Sequence, residues 1–188
     1  NETSNTENSD DDPSINPPVK LNLDPSQISS YSSYNNHTVL ITLDGIVKAV
    51  GDNEDGKIGG TLQKEVHNHF TEFSIKDDQE RVLTPSSSVC GYLYTLYKVS
   101  IPECDNKWQL AYFYSDTDMK QTLLLKTGSL NPISLFGGYE NSAAIDTEGS
   151  IIFIPDYETS SEIFSSQFEP SFLPENEKAV KVCCCDNF

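Results

Sequence analysis

Apolar residues in this chain come in runs of about four to seven, and each run is bounded by turn-forming residues. Val39-Leu40-Ile41 and Val47 to Val50 flank Asp44-Gly45, while Ala143-Ala144-Ile145 and Ile151 to Ile154 flank Glu148-Gly149. An acidic residue followed by Gly between two such runs predicts a β-hairpin, because the turn needs a positive φ that Gly adopts without steric cost. Ser, Thr, Asn and β-branched residues dominate, and Gly and Pro fall between the runs, so long helices are not expected. The pattern predicts an all-β chain.

The pattern also repeats. Asn35 to Asp52 falls over Tyr139 to Asp156 at an offset of 104, with Asp44-Gly45 over Glu148-Gly149. A further copy lies between them: Val89-Cys90-Gly91 leads into Tyr94 to Ser100, and a longer connection, Ile101 to Lys107, leads to Trp108 to Tyr114. A fourth begins at Val180-Lys181-Val182-Cys183. Anchored at His37, Tyr94, Asn141 and Phe188, the copies are spaced by 57, 47 and 47 residues, periods that indicate propeller blades. Four positions before each anchor stands a small residue, Ser33, Cys90, Gly137 or Cys184, as the crowded inner strands of a propeller require. The expected architecture is a partial β-propeller of about three four-stranded antiparallel blades, at 27–82, 83–130 and 131–178, with a fourth starting at 179–188. The connections 53–83 and 157–178 read as surface loops between blades.

Asn36-His37-Thr38-Val39-Leu40-Ile41-Thr42-Leu43-Asp44-Gly45, then Val47 to Gly51, then Asp52-Asn53-Glu54-Asp55-Gly56-Lys57-Ile58-Gly59, resembles a regulator-of-chromosome-condensation repeat. That repeat has a His followed by Ser or Thr, an apolar strand, an acidic-Gly turn, a second strand ending in Gly, and an Asn and Gly linker. In the third copy Asn141 and Pro155 replace the His and the strand-ending Gly, and in the second the turn is remodelled. The resemblance covers 27–188 and implies a fragment of a seven-bladed propeller. It also implies one of three roles: a scaffold for other proteins, chromatin binding, or guanine-nucleotide exchange on a Ran-like small GTPase. Seven blades at ~50 residues each need about 350 residues. Closure therefore requires more chain or a covering partner, and an opening Asn1 instead of Met points to a stretch of a longer protein.

Composition sharpens this reading. Residues 1–26, rich in Asn, Ser, Thr, Asp, Glu and Pro, read as a disordered acidic tail that cannot bury enough apolar surface to offset its ordering entropy. A net charge of −17 argues against direct nucleic-acid binding, which relies on Lys and Arg at phosphates; it serves first to keep the protein in solution, and can also steer basic partners. No apolar run approaches the ~20 residues of a membrane helix. Five cysteines, three of them adjacent, do not form a disulfide framework, so a reducing cytoplasmic or nuclear setting is expected.

Candidate chemistry is sparse. Asp52-Asn53-Glu54-Asp55-Gly56 has the composition of a calcium loop but not its spacing, because Gly51 and Leu62 fall where the first and twelfth ligands belong. His67 and His69, with Glu65 nearby, can share one strand face, yet no third ligand joins them, since His37 serves the repeat. Cys183-Cys184-Cys185 lacks the pair spacing of a zinc site and reads as a buried inner strand. No Gly-flanked Ser elbow or phosphate-cradling Gly-rich loop is present, and the sequons Asn1-Glu2-Thr3 and Asn36-His37-Thr38 matter only in a secreted chain. Tyr92, Trp108 and Tyr112 break the repeat pattern and serve equally as contact or core residues. No catalytic, cofactor or metal residue is assigned, and the chain is expected to bind proteins without being an enzyme.

Overall fold

The computed structural model describes residues 23–53, 56–59, 66–77, 79–100, 108–114, 123–125, 131–154, 173–174 and 177–184. The stretch 1–22 of the expected tail and most of the 157–178 connection lie outside the described residues.

The first sheet is a four-stranded antiparallel meander of β1 (Ile28–Tyr34), β2 (His37–Thr42), β3 (Val47–Asp52) and β4 (Val66–Phe73). The second adds a two-residue strand, β5 (Ile75–Lys76), to β6 (Val82–Cys90), β7 (Tyr94–Ser100), β8 (Trp108–Tyr114) and β9 (Leu123–Leu125). The third contains β10 (Pro132–Gly137), β11 (Ser142–Asp146) and β12 (Ile151–Ile154). These sheets are propeller blades. One strand of each sheet lies innermost, β1, β6 and β10, with β6 packing beside both of the others.

The 53–83 connection departs from expectation. It is not a surface loop throughout, because Val66–Phe73 is the outer strand of the first blade, with Lys48 opposite Glu72 and Ala49 opposite Thr71. His, Asn, Thr and Glu hide this strand from a reading based on apolar runs, since an outermost strand buries little.

Register ties the three copies together. The same irregularity interrupts every inner strand, between Ile28 and Ser30, Pro85 and Ser87, and Pro132 and Ser134. These are equivalent places in the repeat, and two of them hold Pro, which a bulge tolerates because no ladder bond is asked of its nitrogen.

Two cores fill the spaces between blades. Val39, Ile41, Val47 and Ala49 of the first blade join Leu83, Tyr97, Val99, Ala111 and Phe113 of the second. Tyr94, Leu96, Leu110 and Tyr112 on the second blade's other face join Ala144, Ile152 and Ile154 of the third. The period-2 alternation of β7 divides its side chains between the two cores, so each large side chain it buries contributes about 1.5–3 kcal/mol to one interface or the other.

Candidate functional site: ties between blades and the surfaces they leave open

The first two repeat anchors reach forward to the next blade. His37 Nε2 shares a 3.1 Å hydrogen bond with Thr95 Oγ1, and the Tyr94 hydroxyl donates to the Asn141 carbonyl at 2.8 Å. Both anchors close two-residue hairpins that join an inner strand to its neighbour, Tyr34 facing His37 and the Gly91 amide bonding the Tyr94 carbonyl. Hairpin tips also meet: Tyr92 and Tyr139 stack with ring centroids 4.5 Å apart, and the Tyr92 amide donates to the Tyr139 carbonyl at 2.8 Å.

The column of small residues lies where inner strands approach one another. The Cys90 thiol contacts Ser32 Oγ at 3.2 Å, and a Cβ on Gly137 would sit 2.6 Å from Val89 Cγ2. Burial pushes the Cys90 thiol up to about 11, against the hydrogen bonds from Ser32 and Thr95, so it rests as a protonated, unreactive group. The contact recurs at the far end. Cys184 Sγ lies 3.8 Å from the Phe136 carbonyl, the counterpart of Cys90 against Ser32. Cys183 is exposed and Cys184 half-buried, so the triplet is not the wholly buried strand expected, and Cys185 lies outside the described residues.

Around His37 the linker folds into a polar knot. Asp52 Oδ2 accepts from Asn36 Nδ2 and from Lys57 Nζ, both at 2.6 Å, and Asn53 Oδ1 accepts the Ile58 amide at 2.9 Å. The fully buried Tyr97 donates its hydroxyl to the Ile58 carbonyl at 2.7 Å, fastening this linker to the second blade. Asp52 and Asn53, met in sequence as possible metal ligands, thus hold a turn. Burial and the Lys57 charge pull His37 down to about 4, outweighing Asp52 and a backbone contact at Tyr94. It is a neutral imidazole, 2% exposed.

The hairpin turns carry positive φ at Gly45 (80°) and Gly149 (84°), and each glycine also abuts the following unit. A Cβ at Gly45 would come within 2.8 Å of Thr84 Cγ2, and one at Gly149 within 2.6 Å of Lys178 Cβ. Side chains brace these turns: Thr42 Oγ1 accepts the Ile46 amide, and Asp146 Oδ1 accepts those of Glu148 and Ser150. Asp77 does the same for Gln79 and Arg81 and pairs with the Arg81 guanidinium at 2.6 Å. Burial opposes its ionisation, yet the Arg81 and Gln79 bonds prevail and hold it below the usual carboxylate range. Nothing in the apolar pattern marks this turn, whose ties are all polar.

Between the first two blades a cleft of about 380 Å³ is lined by Asp44 to Val47, Glu72 to Ile75 and Val82 to Pro85. Ile46 and the 53% exposed Val82 show apolar surface there, and the 65% exposed Leu43 stands beside them in the same turn. Asp44 and Glu72 supply carboxylates, the latter paired with Lys48 at 2.6 Å.

Of the remaining candidates, Tyr112 is core, stacked on Tyr94 at 5.3 Å, and Tyr92 is half-buried in its tip-to-tip stack. His69 is exposed on β4, whereas the side chains of His67 and Trp108 lie outside the described residues. Among the described residues no three His, Cys, Asp or Glu side chains converge, and no helix is long and apolar enough to cross a membrane.

Fold and ties together define a β-propeller built of unlike repeats. No family model and no curated protein matches the sequence. Solved structures match its fold, among them regulator-of-chromosome-condensation propellers. Human WBSCR16 superimposes with a TM-score of 0.54 at 14% identity, covering 73% of this chain and 36% of that one. Yeast RCC1 (Prp20), bound to Kap60, gives 0.52 at 13% identity over 76% and 37%. Prp20p from Saccharomyces cerevisiae, in a crystal structure concerned with its binding to Gsp1p and histones, gives 0.52 at 12% over 77% and 37%. The chain therefore spans a little over a third of each of these propellers, and at such identities the likeness is one of fold.

Proposed function

We propose that this chain is a protein-interaction scaffold without catalytic chemistry, and that the cleft between its first two blades receives a basic, partly apolar segment of a partner. The carrying observation is the meeting of exposed Ile46 and Val82 with the carboxylates of Asp44 and Glu72 at one inter-blade seam. Apolar side chains gathered at a concave seam favour a partner, and a net charge of −17 steers basic ones towards it. A protein partner of this kind suits a nuclear or cytoplasmic setting.

Exchange on a Ran-type GTPase is the second reading, supported by the fold shared with Prp20p, whose structure is reported with its binding to Gsp1p and histones. An exchange factor must favour the nucleotide-free partner over the loaded one, because only differential affinity shifts that equilibrium. One experiment separates the two. The chain is mixed with core histones and, separately, with a Ran-type GTPase carrying a fluorescent nucleotide. Histone binding lost in an Ile46→Asp, Val82→Asp variant, with nucleotide release unchanged, supports the scaffold. Accelerated release supports exchange, and neither result refutes both.

A further inference from the structure

The two acidic-glycine turns meet the chain that follows them at one point of the repeat. Gly45 abuts Thr84 and Gly149 abuts Lys178, so Pro85 and Ala179 stand at equivalent places one residue further on. In the later seam the Ala179 amide donates to the Gly149 carbonyl at 2.9 Å, which ties the turn to the incoming segment. In the earlier seam that bond cannot form, because Pro has no N–H to give. Among the described residues nothing donates to the Gly45 carbonyl; the turn's own bonds run from the Gly45 amide to the Thr42 carbonyl and from the Thr42 amide to the Ile46 carbonyl.

The sheet loses nothing by holding Pro85. It lies at the bulge of β6, where no ladder bond is asked of its nitrogen. The consequence falls on the cleft, since Gly45 and Pro85 both line it, beside Ile46 and Val82. Gly45 is half-buried there, and a shielded carbonyl without a donor carries a cost that an incoming N–H removes. The later seam also displays the chemistry that completes such a turn: a main-chain N–H on a small residue that directly follows a Lys.

We propose that the Gly45 carbonyl is the main-chain acceptor of the cleft, that a backbone N–H of an extended, lysine-containing partner segment donates to it, and that Pro85 keeps this acceptor available. The proposal rests on the reading of the cleft as the partner's seat. A carbonyl engages the partner's backbone whatever its side chains, so it fixes the segment's placement while Ile46, Val82 and Asp44 select what stands beside it.

The test is Pro85→Ala in the whole chain, which supplies the missing N–H and is expected to tie the turn as Ala179 does. Hydrogen exchange followed by nuclear magnetic resonance reads this with no partner present: the new amide is expected to exchange at least ~10-fold more slowly than an unprotected one, with the Ala179 amide of the same chain as reference. Core histones read the consequence. Their binding is expected to fall roughly three- to tenfold, the worth of one hydrogen bond. Pro132→Ala, which removes the equivalent proline of the third blade, is expected to leave it unchanged, and circular dichroism checks the fold of both variants. An unprotected new amide overturns the proposal, as does histone binding indifferent to Pro85→Ala yet lost in the Ile46→Asp, Val82→Asp variant; the reading of the cleft then stands. An unaltered chain that binds no histone removes that reading and the proposal together.

Discussion

Single residues carry the tolerances of this fold. Gly51, next to last in β3, has a φ of 107°, and a Cβ there would lie 2.1 Å from the Asn36 carbonyl oxygen and 2.7 Å from His37 Cα. Backbone cannot yield as a flexible side chain does, so Gly51→Ala is expected to cost more than about 2 kcal/mol, read as a lowered urea midpoint at unchanged slope. His37 sets a pH dependence. Its pKa falls from 6.5 to about 4 on folding, so the unfolded chain binds more protons between those values. The stability it contributes is whole above about pH 6.5 and drains away as pH falls towards 4, amounting to about 3 kcal/mol across the window. Urea midpoints measured from pH 4 to 7 should climb, and His37→Asn, which installs the third copy's residue, should flatten that climb.

At the scale of elements, the Tyr97 hydroxyl fastens the linker at Ile58 to the second blade. Tyr97→Phe keeps the edge-on ring contacts with Phe73 and Phe113 but strands the Ile58 carbonyl, so a loss of about 1–3 kcal/mol is expected without a change in far-ultraviolet circular dichroism. Thiol labelling reads the inner strands. Cys183 should react at once, and Cys90 only after unfolding, since it is both buried and held protonated. A rapidly labelled Cys90 in the native chain would contradict the packing of β1 on β6. The hairpins of the first and third blades were legible from their acidic-glycine turns and apolar flanks, and Tyr94–Ser100 and Trp108–Tyr114 lie where their β-rich runs placed them. β4 was not, because an outer strand of His, Asn, Thr and Glu carries no apolar signature. The shared bulge of the inner strands is not legible in the sequence either, since Ile28, Pro85 and Pro132 look alike only once the register is known.

For the whole molecule, charge sets how partners are met. Histone binding is expected to weaken as sodium chloride rises from ~50 to ~200 mM, because the screening length shrinks from about 14 Å to about 7 Å over that range. Binding that ignores salt would point instead to the apolar floor of the cleft. The candidate surfaces are only half legible in the sequence: their acidity is plain in the composition, but the seam that gathers Ile46 and Val82 joins residues 36 positions apart. The two cores between blades have a wider bearing, because sizes across them are reciprocal: small Ala49 shares one with large Tyr97, and large Tyr112 shares the other with small Ala144. Following the first blade directly with the third would set Ala49 against Ala144 and leave a void, while doubling the second would drive Tyr112 into Tyr97. These modules cannot be shuffled like interchangeable tiles. Each is cut to its neighbour, and matched pairs drifting together can keep a shape long after column-by-column likeness between copies has worn away.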